Sequence, residues 1–100
     1  MTTLKDALLM KNRIGKSLQK ALVKEGWTIY DFYIEKRTDR GLYITIEFDI
    51  GDYCVGIYSK KGKWLLEPKK SFLNFVVAFQ RAVELDAEVK SGKKWTGEDD

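Results

Sequence analysis

Leu42-Tyr43-Ile44-Thr45-Ile46-Glu47-Phe48-Asp49-Ile50 decides the fold. Leu42, Ile44, Ile46, Phe48 and Ile50 alternate with Tyr43, Thr45, Glu47 and Asp49, the period of a strand buried on one face. A helix would instead carry its apolar residues three and four apart. The stretch is therefore expected to lie in an antiparallel sheet with its second face toward water.

Working upstream, Tyr30, Phe32 and Ile34 alternate with Asp31 and Tyr33, which predicts a partner strand on the same face. Thr38-Asp39-Arg40-Gly41 between them is turn chemistry, so a hairpin with Ile34 opposite Ile44 is expected. Downstream, Gly51-Asp52 reads as a two-residue turn into a strand Tyr53–Ser59, whose Val55 and Ile57 fall on the buried side. Lys61-Gly62 offers another tight turn into a short fourth strand, Lys63–Glu67, with Trp64 and Leu66 inward. Pro68 ends the sheet.

Helical patterns flank these strands. In residues 3–25, Thr3 and Asp6 form a capping-box start. Leu4, Ala7, Leu8, Ile14, Leu18, Ala21 and Leu22 make one stripe, and Lys5, Arg13, Lys16, Lys20 and Lys24 gather opposite it. Gly15, costly inside a helix, and Lys11, inside the apolar stripe, mark Asn12–Gly15 as the place to kink or break. Gly26 supplies the stop. Ser71 is read as the N-cap of a second helix, 72–90, ending before Gly92. Its Phe72, Phe75, Val76, Ala78, Phe79, Ala82, Val83, Leu85 and Val89 cover more than half the circumference, more than one sheet face requires. Either the first helix packs alongside, or the surplus forms a homodimer or partner interface. The expected fold class is α+β: an antiparallel three- to four-stranded meander with an N-terminal and a C-terminal helix packed on one face. Residues 1–90 make one domain, and 91–100 a flexible Lys/Trp and then acidic tail.

Composition excludes much chemistry. With no histidine, the commonest general base and zinc ligand is missing, and one cysteine builds neither a disulfide nor a thiolate zinc site. Cys54 reads as a small filler on a strand. No glycine-rich phosphate loop joins a strand to a helix. The chain is thus expected to be non-enzymatic, without cofactor or metal. One arrangement runs the other way. With 34 opposite 44, Asp31 faces Glu47, and Asp49 follows on the same face, a carboxylate trio suited to Mg²⁺. It lacks the Glu-x-Lys strand lysine of metal-dependent nucleases, and like charges on a solvated face also discourage edge pairing. The first apolar stretch is broken by Lys5, Lys11 and Arg13, and no run reaches membrane length, so a cytoplasmic protein without signal peptide or membrane contact is expected.

Charge supplies the functional clue. The net charge is +3, but residues 1–24 hold six basic side chains against Asp6 alone. A second basic stretch runs through Lys60, Lys61, Lys63, Lys69 and Lys70, and Glu98, Asp99 and Asp100 close the chain. A row of helix cations suits phosphates, and the preference for Lys over Arg fits backbone contact better than bidentate base reading. Lys60-Lys61-Gly62-Lys63-Trp64 and Lys93-Lys94-Trp95 set cations beside an indole, a pairing used on single strands, with Trp95 the ring lacking an evident core position. Tyr33, Tyr43 and Tyr58 share the outer sheet face with Asp31, Glu35, Glu47 and Asp49.

The order helix, three strands, helix resembles that of the double-stranded RNA-binding domain, and Lys69-Lys70-Ser71 resembles that family's lysine cluster at its last helix. The loop between the first two strands carries neither the family's Gly-Pro nor its histidine. Two readings stand. The first is a nucleic-acid-binding module, DNA or RNA, contacting phosphate through Lys5, Arg13, Lys16, Lys20, Lys24, Lys69 and Lys70, with Trp95 stacking. The second is a protein-binding regulator or inhibitor, of the kind phages and mobile elements encode, acting through Tyr33, Tyr43, Tyr58 and Glu47.

Overall fold

The computed structural model describes residues 9–49, 51–69 and 71–98. Thr3, Leu4, Lys5, Asp6, Ala7 and Leu8, with Ile50, Lys70, Asp99 and Asp100, lie outside the described residues.

Two short helices, α1 (Met10–Arg13) and α2 (Lys16–Lys24), precede β1 (Trp27–Ile29), β2 (Tyr33–Arg37), β3 (Tyr43–Asp49), β4 (Asp52–Tyr58), β5 (Trp64–Leu66) and β6 (Ser71–Phe72). Helix α3 (Phe75–Lys90) follows. The strands pair antiparallel in the order β1-β2-β3-β4, and β5 and β6 share β4's far edge. The architecture is α+β, an antiparallel sheet with helices at both ends, as the alternation implied.

The helix expected over 3–25 breaks, among its described residues, where Gly15 and Lys11 had marked it. Ile14 is extended, at φ −114° and ψ 127°, and its side chain is buried. Cβ crowding does not enforce the break, because nothing lies within 4 Å of where a Gly15 Cβ would sit. Burial of Met10 and Ile14, together with Gln19, sustains it. The Gln19 amide donates to the carbonyls of Lys11 and Ile14, each at 2.7 Å, taking up acceptors that a continuous helix would have satisfied.

Three expectations about the strands are corrected. Tyr30–Ile34 is not a single strand. Tyr30 N–H donates to the Tyr33 carbonyl at 2.8 Å across a tight turn, both Tyr30 and Phe32 are exposed, and the strand before that turn is Trp27–Ile29. Second, Ile34 pairs with Ile46 rather than Ile44. The hairpin tip sits one residue later, where Thr38 N–H donates to the Leu42 carbonyl at 2.7 Å and Leu42 N–H to Thr38 Oγ1 at 3.0 Å. A slip of two keeps every side chain on its face but changes every partner. Third, Asp52 is not part of the turn after β3: it opens β4, paired with Asp49, and Gly51 stands before it at φ +85°.

On the sheet's inner face Ile34, Ile44, Ile46 and Ile57 are fully buried beneath α3, whose Ala78, Ala82, Leu85 and Val89 close over them. Each such isoleucine contributes about 2 to 3 kcal/mol. Helix α3 packs on β3 and β4, while α2 packs on β1, and a cavity of about 330 Å³ lined by Glu25, Trp27, Phe79 and Val83 lies between. The described part of the first helical segment therefore does not cover α3's apolar surplus, and Val76 and Val83 are exposed.

Ser71 is not the cap of α3. Its place is in β6, opposite Cys54, and Asn74 caps instead, accepting from Val77 N–H at 2.9 Å. Lys69 and Ser71 are thus not at a helix start, and the described residues form a sheet of six strands. Both observations depart from the RNA-binding-domain topology. Of the segment expected as a flexible tail, the described residues 91–98 touch the β2–β3 turn through Arg40. Arg40 donates to the carbonyls of Val89 and Lys93 and pairs with Glu98 at 2.8 Å.

Candidate functional site

Two surfaces gather chemistry. The first lies along α2. Lys16, Lys20 and Lys24 follow one another at four-residue spacing, so they form a single row, and all three are exposed. Lys11, Lys20 and Lys24 line an open groove of about 740 Å³ whose apolar floor includes Val23, Trp27 and Ile29. That floor adjoins β1, which pairs on one side with β2 and forms an edge of the sheet. Among the described residues no carboxylate comes within ion-pair distance of these four lysines. Lys36, Lys69, Lys90, Lys93 and Lys94 contrast with them, each lying 3.1 to 3.6 Å from an acidic oxygen.

Not every cation of the expected row belongs to it. Arg13 turns inward, its guanidinium 3.1 Å above the Phe48 ring and its Nε buried without a hydrogen-bond partner. The ring attracts the cation, and the break after α1 rotates that residue away from α2's lysines. Lys5 and Lys70 lie outside the described residues, and Lys69 is exposed beside Glu67. Trp95 is half-buried against the core, with Lys93 Nζ 5.3 Å from its ring centre and its backbone N–H donating to the Glu98 carboxylate at 3.4 Å. It is not a free stacking platform. Burial pushes the Glu98 carboxyl up, but hydrogen bonds from Arg40, Trp95 N–H and Lys94 outweigh this and hold it below the usual range.

The second surface is the outer face of the sheet. Cross-strand pairing lines up Tyr33 with Glu47, Glu35 with Thr45, Tyr43 with Tyr58, and Thr45 with Gly56. The aromatic rings lie against one another: Tyr30 on Tyr33 at 4.7 Å, Tyr43 on Tyr58 at 5.0 Å, and Trp64 edge-on to Tyr58 at 5.4 Å. Between them opens a cavity of about 320 Å³, lined by Tyr33, Thr45, Glu47, Tyr58, Gly62 and Trp64.

Trp64 was expected inside. It is 40% exposed on the outer face, because β5 carries an extra residue against β4: Leu66 faces Ile57, yet Trp64 faces Tyr58. Such a bulge switches the side to which a residue points. Gly56 makes room for this ring. A Cβ there would sit 2.9 Å from both the Trp64 ring and the Leu66 carbonyl, and 3.1 Å from Pro68. Thr45, directly across from Gly56, was missed as a site residue. It is only 1% exposed, and its hydroxyl has no hydrogen-bond partner. Its parity between Tyr43 and Glu47 was a signal for the face, though not for the burial.

The register expected for the carboxylate trio is not the one observed. Glu47 pairs with Tyr33, Asp31 sits in the β1–β2 turn, and Asp49 pairs with Asp52. Among the described residues no group of three or more acidic or cysteine side chains is placed to hold a metal ion. No described helix is long and apolar enough to cross a membrane. No protein-family model, curated protein or solved structure matches the chain.

Proposed function

We propose that this protein is a non-enzymatic nucleic-acid-binding module that holds phosphates along the Lys16, Lys20 and Lys24 row, with Lys11 on the wall of the adjoining groove. The observation that carries this reading is the contrast among its lysines. Those around α3 and its following segment are neutralised by acids, whereas those of α2 face water with no acidic partner among the described residues. Neutralising phosphates releases condensed counterions, and a row of unpaired ammonium groups on a rigid helix does this without first breaking internal ion pairs. Lysine heads act as point charges, so contact is expected with backbone rather than base edges. Arg13 and Trp95, which are engaged internally, drop out of the contact set.

The test is fluorescence anisotropy with labelled single- and double-stranded DNA and RNA between about 50 and 200 mM salt. Affinity should fall linearly on a log–log plot. Reversing Lys16, Lys20 and Lys24 together to Glu should weaken binding at least about a hundredfold, and it should flatten a duplex slope by about 3. Failure to bind any of the four nucleic acids at low salt would sink the reading, as would wild-type affinity in the triple variant.

A further inference from the structure

We propose that the groove beside α2 takes a single-stranded nucleic acid, its phosphates on the lysine row and its bases turned onto the apolar floor and the free edge of β1. This rests on the phosphate-binding reading above and names the form of nucleic acid that the groove fits. The first observation is the one-sidedness of the charge. Lys20 and Lys24 of α2 and Lys11 of α1 rim the groove, whereas its β1 wall, Trp27–Ile29, carries no charged side chain. Among the described residues no carboxylate lines it. A single strand has the same asymmetry, with phosphates along one side and bases free on the other. A duplex keeps its bases stacked and paired inside, so an apolar wall facing it would gain nothing.

The second observation is the floor. Val23, 59% exposed, and the half-buried Ile29 both line the groove. The faces of bases are apolar and pack on such side chains whatever the sequence. The Trp27 ring is not the platform, since that residue is only 4% exposed. The third observation is the edge. Trp27, Thr28 and Ile29 all line the groove although alternate side chains point to opposite faces, so the groove runs along the edge of the strand. Strand β1 pairs with β2 on its other side. Because Tyr30 N–H bonds to the Tyr33 carbonyl, Thr28 and Glu35 form the next hydrogen-bonded pair, and the N–H and C=O of Ile29 point outward. One donor and one acceptor on a single residue match the pairing edge of a base, which a duplex has already used. An added peptide strand would draw its affinity from a longer ladder than the three residues of β1 supply.

The test pairs fluorescence anisotropy with amide NMR at about 50 mM salt. The probes are a labelled pyrimidine strand of about 16 nucleotides and the same strand in a blunt duplex. The strand should bind at least about tenfold tighter than the duplex, and it alone should shift the Ile29 amide and the Val23 methyl groups. Val23→Ser, at an exposed position, should weaken the strand about fivefold and leave the duplex unchanged, with amide shifts away from the groove showing that the fold is kept. Equal affinity for the duplex would overturn the proposal, as would wild-type strand binding in Val23→Ser or an unmoved Ile29 amide at saturation. If reversal of Lys16, Lys20 and Lys24 still abolishes binding in those cases, the phosphate-binding reading stands without this one. Failure of both probes to bind ends the two together. A peptide of alternating glutamate and valine that displaces the strand at equal or lower concentration would also overturn the proposal, assigning the groove to an acidic protein segment.

Discussion

Thr45 and Ile46 are neighbours in sequence and equally hidden from solvent, but they are hidden by different means. Ile46 faces inward among Ile34, Ile44 and Ile57, with the apolar stripe of α3 laid over the sheet. Thr45 faces outward, where the described residues place no helix above it, and is enclosed by side chains of the sheet face itself, Tyr33, Tyr58 and Trp64 among them. The inner face is closed by a helix and filled with hydrocarbon. The outer face is closed by rings leaning across a strand, and the Thr45 hydroxyl buried there has no hydrogen-bond partner. Equal burial therefore comes from a helix laid over one side of the sheet and from side chains of the sheet itself on the other.

Mutation separates the two. Ile46→Ala removes three buried carbons from a packed layer and should cost about 3 to 4 kcal/mol in a urea unfolding titration. A loss under about 1 kcal/mol would mean that the inner face is not the main core. Next in size is Arg40→Ala, at about 2 kcal/mol. This change removes one of the three donors to the 6%-exposed Glu98 carboxylate, leaving Trp95 N–H and Lys94, and frees the carbonyls of Val89 and Lys93. The pH dependence has a definite sign. Glu98 is held below its unfolded value, so its contribution is present above the ordinary carboxylate range and is lost as pH falls through the folded value. Thermal melts from pH 7 down to about 3 should therefore drop more steeply for the parent protein than for Arg40→Ala.

Gly56→Ala sharpens the comparison from the outer side. Its new methyl meets backbone and the Trp64 ring, so a loss of about 1 to 2 kcal/mol is expected, with Trp64 emission shifting as the ring is displaced. Smallest of all, Thr45→Val should be neutral or stabilising by up to about 1 kcal/mol, because it deletes a hydroxyl that bonds to nothing. A cost near that of Ile46→Ala would erase the distinction between the faces.

The residues show why some of this was legible in advance and some was not. Alternation in 42–50 assigned Ile44 and Ile46 to one face and Tyr43, Thr45 and Glu47 to the other, because side-chain direction in a strand depends only on parity. The cationic row of α2 was equally plain, since 100° per residue fixes which lysines align. Register was not, as slips of two residues preserve parity and only the Thr38–Leu42 turn chooses between them. Trp64 was misplaced for a related reason: a bulge changes parity, and no residue type announces it. Ser71 and Asn74 are both competent caps, and the free edge of β4 settled the choice by drawing Ser71 into a strand.

By itself, then, the chain's patterning determined the α+β class, the two faces of the long strands and the basic side of the first helical segment. These are local consequences of backbone periodicity and charge spacing. Tertiary structure alone decided that Arg13 and Trp95 turn inward, that Trp64 turns outward, and that Thr45 ends beneath a ring of aromatics. Those outcomes depend on which distant segments share an edge of the sheet, and pairing between residues far apart is chosen by the packing of the whole domain rather than by any short stretch of it.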